Sequence, residues 1–308
     1  MERVVSLLPT KIFEIHQLFT PIGGLWKTAA ADLEANYHSV NVYISTSSNC
    51  IIVRKARELA GEQNVEKPFE EPDQYTLDLS ISVFSAYMRE SPEDKAEPIS
   101  EKRLKQIARL PSRGNLSGFD AEGLPSRDNE VFDFGSLLRN LQTPFATVSM
   151  IDCLGYYQEI EEFVRNLLSK RTSSEFKFYR VELTPTCVDF LMDTWDTWTP
   201  DEQAGSCGSI SIRNCSQKLT KAHISRVLNG WCEGRGGWQI ETSASEFSDL
   251  DAFCKAFKIE EPEWKVKFQR DWLCDYHILI HQKTGTPIKV CWHQLMDGSK
   301  VLELSFDS

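Results

Sequence analysis

PFATVSMIDCLGYYQEIEEFVRNLLSK, residues 144–170, joins two periodicities in one short stretch. PFATVSMI (144–151) reads as a strand centred near Val148. Beyond it, Ile160, Phe163, Val164 and Leu167 are spaced i, i+3, i+4, i+7, the signature of one apolar helical face. A strand followed by a singly striped helix cannot bury that stripe alone, so it needs a neighbouring unit to pack on.

The same pattern recurs downstream. EFKFYRVEL (175–183), GSISIRN (208–214) and GWQIET (237–242) are strand candidates. Helical stripes lie between and around them: Phe134, Leu137, Leu138 and Leu141; Val188, Leu191, Met192 and Trp195; Ile224, Val227, Leu228 and Trp231; Leu250, Phe253, Cys254 and Phe257. The strand centres near Val148, Phe178, Ile212 and Ile240 follow one another at about 30 residues, the period of a solenoid or of parallel βαβ layering. The expected fold class is therefore α/β, an irregular leucine-rich-repeat-like strand–helix stack. The regular LxxLxLxxN motif is absent, so the period is visible but the motif is not. A doubly wound α/β sheet is the alternative.

Outside this rhythm the pattern changes. VNVYI (41–45) and CIIVRKA (50–56) read as paired strands, and YTLDLSISVF (75–84) as a strand with Leu77, Leu79, Ile81 and Val83 on one face. The polar segments 57–74, 89–99 and 111–130 read as long loops. After 262, VKFQRDW, LCDYHILIHQ, PIKVCWHQL and VLELSF alternate polar and apolar, which predicts an antiparallel meander over 262–308 that covers the last open strand.

Composition excludes several function classes. The chain has 308 residues, 41% hydrophobic and 26% charged, with a formal net charge of −11. That balance argues against nucleic acid or an anionic membrane as the main partner, since both call for a basic face. A weak basic patch at Lys102, Arg103 and Lys105 does not change it. No stretch approaches the ~18 apolar residues of a membrane span. The apolar run in MERVVSLLPTKIFE is too short and too soon charged for a secretory signal. Nine scattered cysteines without a CxxC fit free thiols in a reducing cytoplasm or nucleus.

Candidate chemistry is sparse. GRGG (234–237) follows a helix and precedes a strand, the reverse of a phosphate loop, and reads as a helix C-cap. Cys274, His277, His281, Cys291 and His293 crowd into one hairpin, as zinc ligands can. A two-residue turn at Thr284-Gly285 would pair His277 with Trp292 and Ile278 with Cys291, setting the two ligand pairs on opposite faces. Cys207 is the candidate exposed thiol. No cofactor, no metal and no catalytic constellation is expected. Trp195 and Trp231 sit on helix stripes and read as core. Trp198, Trp238 and Trp292 read as core or as partner anchors.

The N-terminal head carries most of the functional signal. Leu8, Ile12, Ile15 and Phe19 share one helical face, with Pro9 as a first-turn residue. Trp26, Ala30, Leu33 and Tyr37 form a second stripe after a break at Thr20-Pro21-Ile22-Gly23-Gly24. LLPTKIFEI (7–15) followed by GLWKTAA (24–30) resembles the F-box. More particularly, the LP…LW head, strands such as VNVYI, the segment ISRVLNGWCEGRGGWQIETSASEFSDLDAF (224–253) and a terminal meander resemble divergent nematode F-box-like and F-box-associated families. This stretch is shorter than the usual F-box by a helix, and Thr10-Lys11 replace the usual acidic residue. The resemblance implies a head at 1–38 that engages a Skp-type adaptor of SCF ubiquitin ligases through Leu8, Pro9, Ile12, Ile15, Phe19, Leu25 and Trp26. It also implies a recognition body at 39–308 that binds a target protein, with no enzymatic activity. The alternatives are a head that only caps the fold of an intracellular binding module, and an α/β enzyme without a recognisable motif.

Overall fold

The computed structural model describes residues 24–25, 28, 38–57, 65–68, 76–87, 96–110, 117–124, 133–170, 173, 175–197, 208–233, 238–243, 247–260, 263–270, 275–282, 285, 287–294 and 298–306. The chain is a mixed α/β protein that divides into two compact units, residues 1–149 and 150–308.

In the first unit, β1 (His38–Ser45) and β2 (Cys50–Arg57) form the expected hairpin. Val40, Val42 and Ile44 alternate into the core, as a period-two strand requires. β4 (Thr76–Phe84) lies parallel to β1, with Leu79, Ile81 and Val83 buried in the same rows. β3 (Val65–Pro68) and β5 (Glu97–Pro98) both pair with β2. Segment 111–130, expected to be a loop, contains β6 (Gly118–Glu122), parallel to β4. GFDAE has only Phe119 and Ala121 to bury, too little to stand out by periodicity, but a paired strand fixes both inside. Segments 57–74 and 89–99 likewise contain β3 and β5.

Two short helices also lie in this unit. α1 (Glu101–Ile107) starts at Ser100, whose hydroxyl accepts from the Arg103 amide at 3.3 Å. α2 (Phe134–Asn140) starts at Asp133, whose Oδ1 accepts from the Ser136 amide at 2.8 Å. The stripe Phe134, Leu137, Leu138 and Leu141 is buried as predicted. Phe119 stacks on Phe134 at 6.4 Å between centroids and tilts on Phe145 at 5.6 Å.

β7 (Thr147–Ile151) contains the division between the units. The second unit is built from α3 (Tyr157–Lys170), β8 (Glu175–Tyr179), α4 (Pro185–Thr197), β9 (Gly208–Arg213), α5 (Lys221–Cys232), β10 (Trp238–Ser243) and α6 (Leu250–Phe257). β8, β9 and β10 are parallel neighbours in chain order. The helices meet in chain order too. Arg165 of α3 lies over the Phe190 ring of α4 at 4.1 Å, and His223 and Arg226 of α5 reach Asp189 and Asp193 of α4 at 2.9 and 2.8 Å. α5 opens with a capping box between Thr220 and His223.

A corner repeats at the strand ends. Asp152 and Arg180 follow β7 and β8 in the left-handed region, at φ 54° and 53°, and Asn214 follows β9 at φ 52°. The Asp152 amide donates to the Tyr179 carbonyl at 2.9 Å, and the Arg180 amide to the Arg213 carbonyl at 3.0 Å. Each corner is thus tied to the end of the next strand.

The meander is present as β11 (Trp264–Arg270), β12 (Asp275–His281), β13 (Pro287–Gln294) and β14 (Lys300–Phe306), all antiparallel. β14 pairs with β10 and so covers the last parallel strand. The β12–β13 register differs from expectation. His277 faces Val290, not Trp292, and Tyr276 rather than Ile278 faces Cys291. The ladder stops at Ile280–Pro287, and the Gly285 amide turns back to the His281 carbonyl at 2.9 Å with φ +73°. A loop longer than two residues slides the partner strand by two and keeps the parity.

Candidate interaction surface

Pleat alternation sorts the second unit's sheet into two faces. One carries Phe176, Phe178, Ile210, Ile212, Ile240, Leu302, Leu304, Ile288, Val290 and Leu279, all buried. This face meets α5 and α6. Trp231 of α5 stacks on Trp264 at 5.6 Å and meets the His281 edge at 6.2 Å, while Phe253 of α6 meets the Trp292 edge at 6.1 Å. Trp292 Nε1 also donates to the Phe247 carbonyl at 2.6 Å. Trp231 is therefore core, and Trp292 is a packing residue with its polar tip satisfied. The side chains of Trp195 and Trp238, and residues Trp198 and Trp272, lie outside the described residues.

The opposite face is polar. Across it, Lys177, Ser211, Glu241, Glu303, Cys291, Tyr276 and Gln269 stand directly side by side on successive strands. Glu241 and Glu303 face each other, a repulsive pair unless each charge is answered. Both are. Glu241 Oε2 accepts from Ser211 Oγ at 2.6 Å and Arg213 Nε at 2.9 Å, and is 8% exposed. Glu303 Oε1 accepts from Gln239 Nε2 at 2.9 Å, and its Oε2 lies 2.6 Å from His293 Nε2. Lys177 pairs with Glu175 at 2.5 Å.

His293 Nδ1 lies 4.0 Å from Cys291 Sγ, so Cys291, His293 and Glu303 line up in the order of a thiol, a base and an orienting carboxylate. Cys291 is only 5% exposed, which denies the sulfur a substrate and leaves the three as ordinary strand neighbours. Cys187 is buried too, and Cys215 is half-buried. Burial pushes the Cys187 thiol up to about 12, helped by the Glu161 carboxylate, and burial pushes Cys215 up to about 11 against backbone hydrogen bonds that lower it.

The hairpin ligand set does not assemble. His277 and His281 stand on the face with Trp264 and Trp292, whereas Cys291 and His293 stand on the polar face. Among the described residues no group of three or more His, Cys, Asp or Glu is placed to hold a metal. Cys274, Cys207 and GRGG (234–237) lie outside the described residues. In the first unit, a pocket of about 410 Å³ lies between α1 and α2, lined by Leu104, Lys105, Asp133, Ser136, Leu137 and Asn140 among others. Its polar groups serve the helices themselves: Lys105 pairs with Glu101 at 2.5 Å, and Asn140 Nδ2 donates to the Ser136 carbonyl at 2.7 Å.

Of the head's candidate partner-binding residues, Leu25 is described. It lies in a helical turn, where Thr28 Oγ1 donates to the Gly24 carbonyl at 3.4 Å, and it is 71% exposed. Leu8, Pro9, Ile12, Ile15, Phe19 and Trp26 lie outside the described residues. Among the described residues no helix is long and apolar enough to cross a membrane. Comparison with family models, curated proteins and solved structures returns no match for this chain.

The polar network is not legible in the sequence alone, because partners such as Gln239 and Glu303 meet only through strand register. Its one trace there is that SISIR (209–213) and WQIET (238–242) put serine, arginine, glutamine and glutamate on the alternate positions opposite their isoleucines.

Proposed function

We propose that this chain is a non-enzymatic recognition protein. Its F-box-like head (1–38) recruits a Skp-type adaptor, and a leucine-rich-repeat-like body (39–308) binds a target protein in the cytoplasm or nucleus. The observation that carries the body's part is the order of its elements. Parallel strands β8, β9 and β10 follow the chain, with α3, α4 and α5 meeting in the same order and a corner recurring after β7, β8 and β9. That is how a repeat stack grows, each unit packing on the last, and it leaves the sheet's other face for contact. A doubly wound sheet would reverse strand order at a switch point, which these three strands do not do.

Leu25 supports the head's part. A capping head would cover its leucine, whereas an adaptor-binding one leaves it open until the partner arrives. The deep burial of Cys187 and the raised pKa of Cys187 and Cys215 weigh against a thiol enzyme.

The test is co-purification with a Skp-type adaptor and cullin. A complex with the wild-type chain that is lost in Ile12→Asp/Trp26→Ala is the expected result. Absence of a wild-type complex, or one undiminished by the double substitution, contradicts the adaptor role.

A further inference from the structure

β11 ends the second unit's strand order, and among the described residues no strand pairs with its outer edge. Its register on β12 fixes which backbone groups face out. The Gln282 amide donates to the Glu263 carbonyl at 2.9 Å, so Glu263, Lys265, Lys267 and Gln269 form the hydrogen-bonded pairs of this antiparallel ladder. The intervening residues, Val266 and Phe268, turn their amides and carbonyls outward. The Trp264 amide, of the same set, already turns away from β12 to the Glu260 carbonyl at 3.1 Å.

The same two residues expose their side chains. Trp231 covers Trp264 at the start of β11, but farther along Val266 is 44% and Phe268 is 60% exposed, with Phe268 leaning on His277 at 5.4 Å. On the polar face of the strand stand Lys265 and Lys267, both exposed, and among the described residues neither has a carboxylate partner. Backbone donors and acceptors, an apolar row and a basic row thus share one open edge.

We propose that the β11 edge is a binding site for an extended, acidic segment of a partner protein, taken up by strand addition. The incoming strand hydrogen-bonds to the outward groups of Val266 and Phe268. Its apolar residues lie on the side of those two chains, and alternate glutamates or aspartates lie beside Lys265 and Lys267. Charge argues against a second copy as occupant. In the central register, about a twofold at Val266, antiparallel self-pairing sets Lys265 opposite Lys267 on both sides, which is repulsive. Lysines on an edge strand also discourage aggregation, and that role fits this one, since charge that repels a copy attracts an acidic partner. The site does not depend on the head: it is tested without adaptor, so its failure and the failure of the adaptor reading are separate results.

The experiment titrates the full chain into a fluorescent peptide of alternating valine and glutamate, about ten residues long and so longer than a common strand, and reads anisotropy. Val266→Pro removes one outward amide while leaving the β12 ladder intact, so the fold survives. It is expected to weaken binding at least about tenfold, as is Phe268→Ser. Lys265→Glu/Lys267→Glu is expected to lose the glutamate peptide and to gain a valine–lysine one. Three outcomes overturn the proposal: no binding at about millimolar peptide, equal affinity for wild type and Val266→Pro, or a concentration-dependent dimer that Val266→Pro abolishes.

Discussion

The central strands of the second unit and the outer strand of its meander treat charge in opposite ways. On β9, β10 and β14 the charged side chains of the polar face are answered from within: Glu241 by Arg213 and Ser211, Glu303 by Gln239 and His293. On β11 the lysines of the same face have no carboxylate partner among the described residues and stand beside two exposed apolar residues. Neutralised charge holds strands in register; unneutralised charge at an open edge recruits something else. The difference separates structural polarity from functional polarity within a single sheet.

Four substitutions or conditions probe that separation. The largest effect is expected where neither kind of polarity is involved. Trp231→Ala removes a fully buried ring stacked on Trp264 and should cost about 3–5 kcal/mol, read as a lower urea midpoint. Next comes the neutralised pair. Glu241→Ala strands the Arg213 guanidinium and the Ser211 hydroxyl and should cost about 1–3 kcal/mol. Glu241→Ala/Arg213→Ala should cost less than the sum of the singles, as a coupled pair requires. An additive cycle would mean that the two charges do not hold the strands together.

Smaller still is Phe268→Ser at the open edge, expected to move stability by no more than about 0.5 kcal/mol while weakening the acidic peptide. A large loss of stability would make Phe268 a packing residue and remove the contrast. The thiols Cys187 and Cys215 make stability depend on pH only above about pH 9. Their folded pKa values lie above the ordinary 9.0, at about 12 for Cys187 and about 11 for Cys215, so the folded state holds these protons more tightly. Their contribution is fully present below pH 9 and is lost as pH rises through 9 toward 12. Cys187→Ala should flatten that decline in a set of urea titrations across this range.

Much of this fold is legible in the sequence where one periodicity dominates. Ile160, Phe163, Val164 and Leu167 of α3, and Ile224, Val227, Leu228 and Trp231 of α5, mark their helices because a buried stripe must repeat every turn. The meander is legible for the same reason at period two. α1 escapes because EKRLKQI buries only Leu104 and Ile107, too few to form a stripe. β6 escapes because Phe119 and Ala121 are its only inward residues. The β12–β13 register depends on loop length, which Thr284-Gly285 alone does not specify. The polar network and the open edge are hidden deeper, since both depend on which strands become neighbours. Glu241 meets Arg213 across 28 residues of chain and Gln239 meets Glu303 across 64.

Amide hydrogen exchange along β11, resolved by residue in the free protein, tests the contrast most directly. An open edge predicts alternation: Lys265 and Lys267 amides protected by β12, and Val266 and Phe268 amides exchanging fast. Protection of all four amides would contradict it, because the edge would then already be occupied.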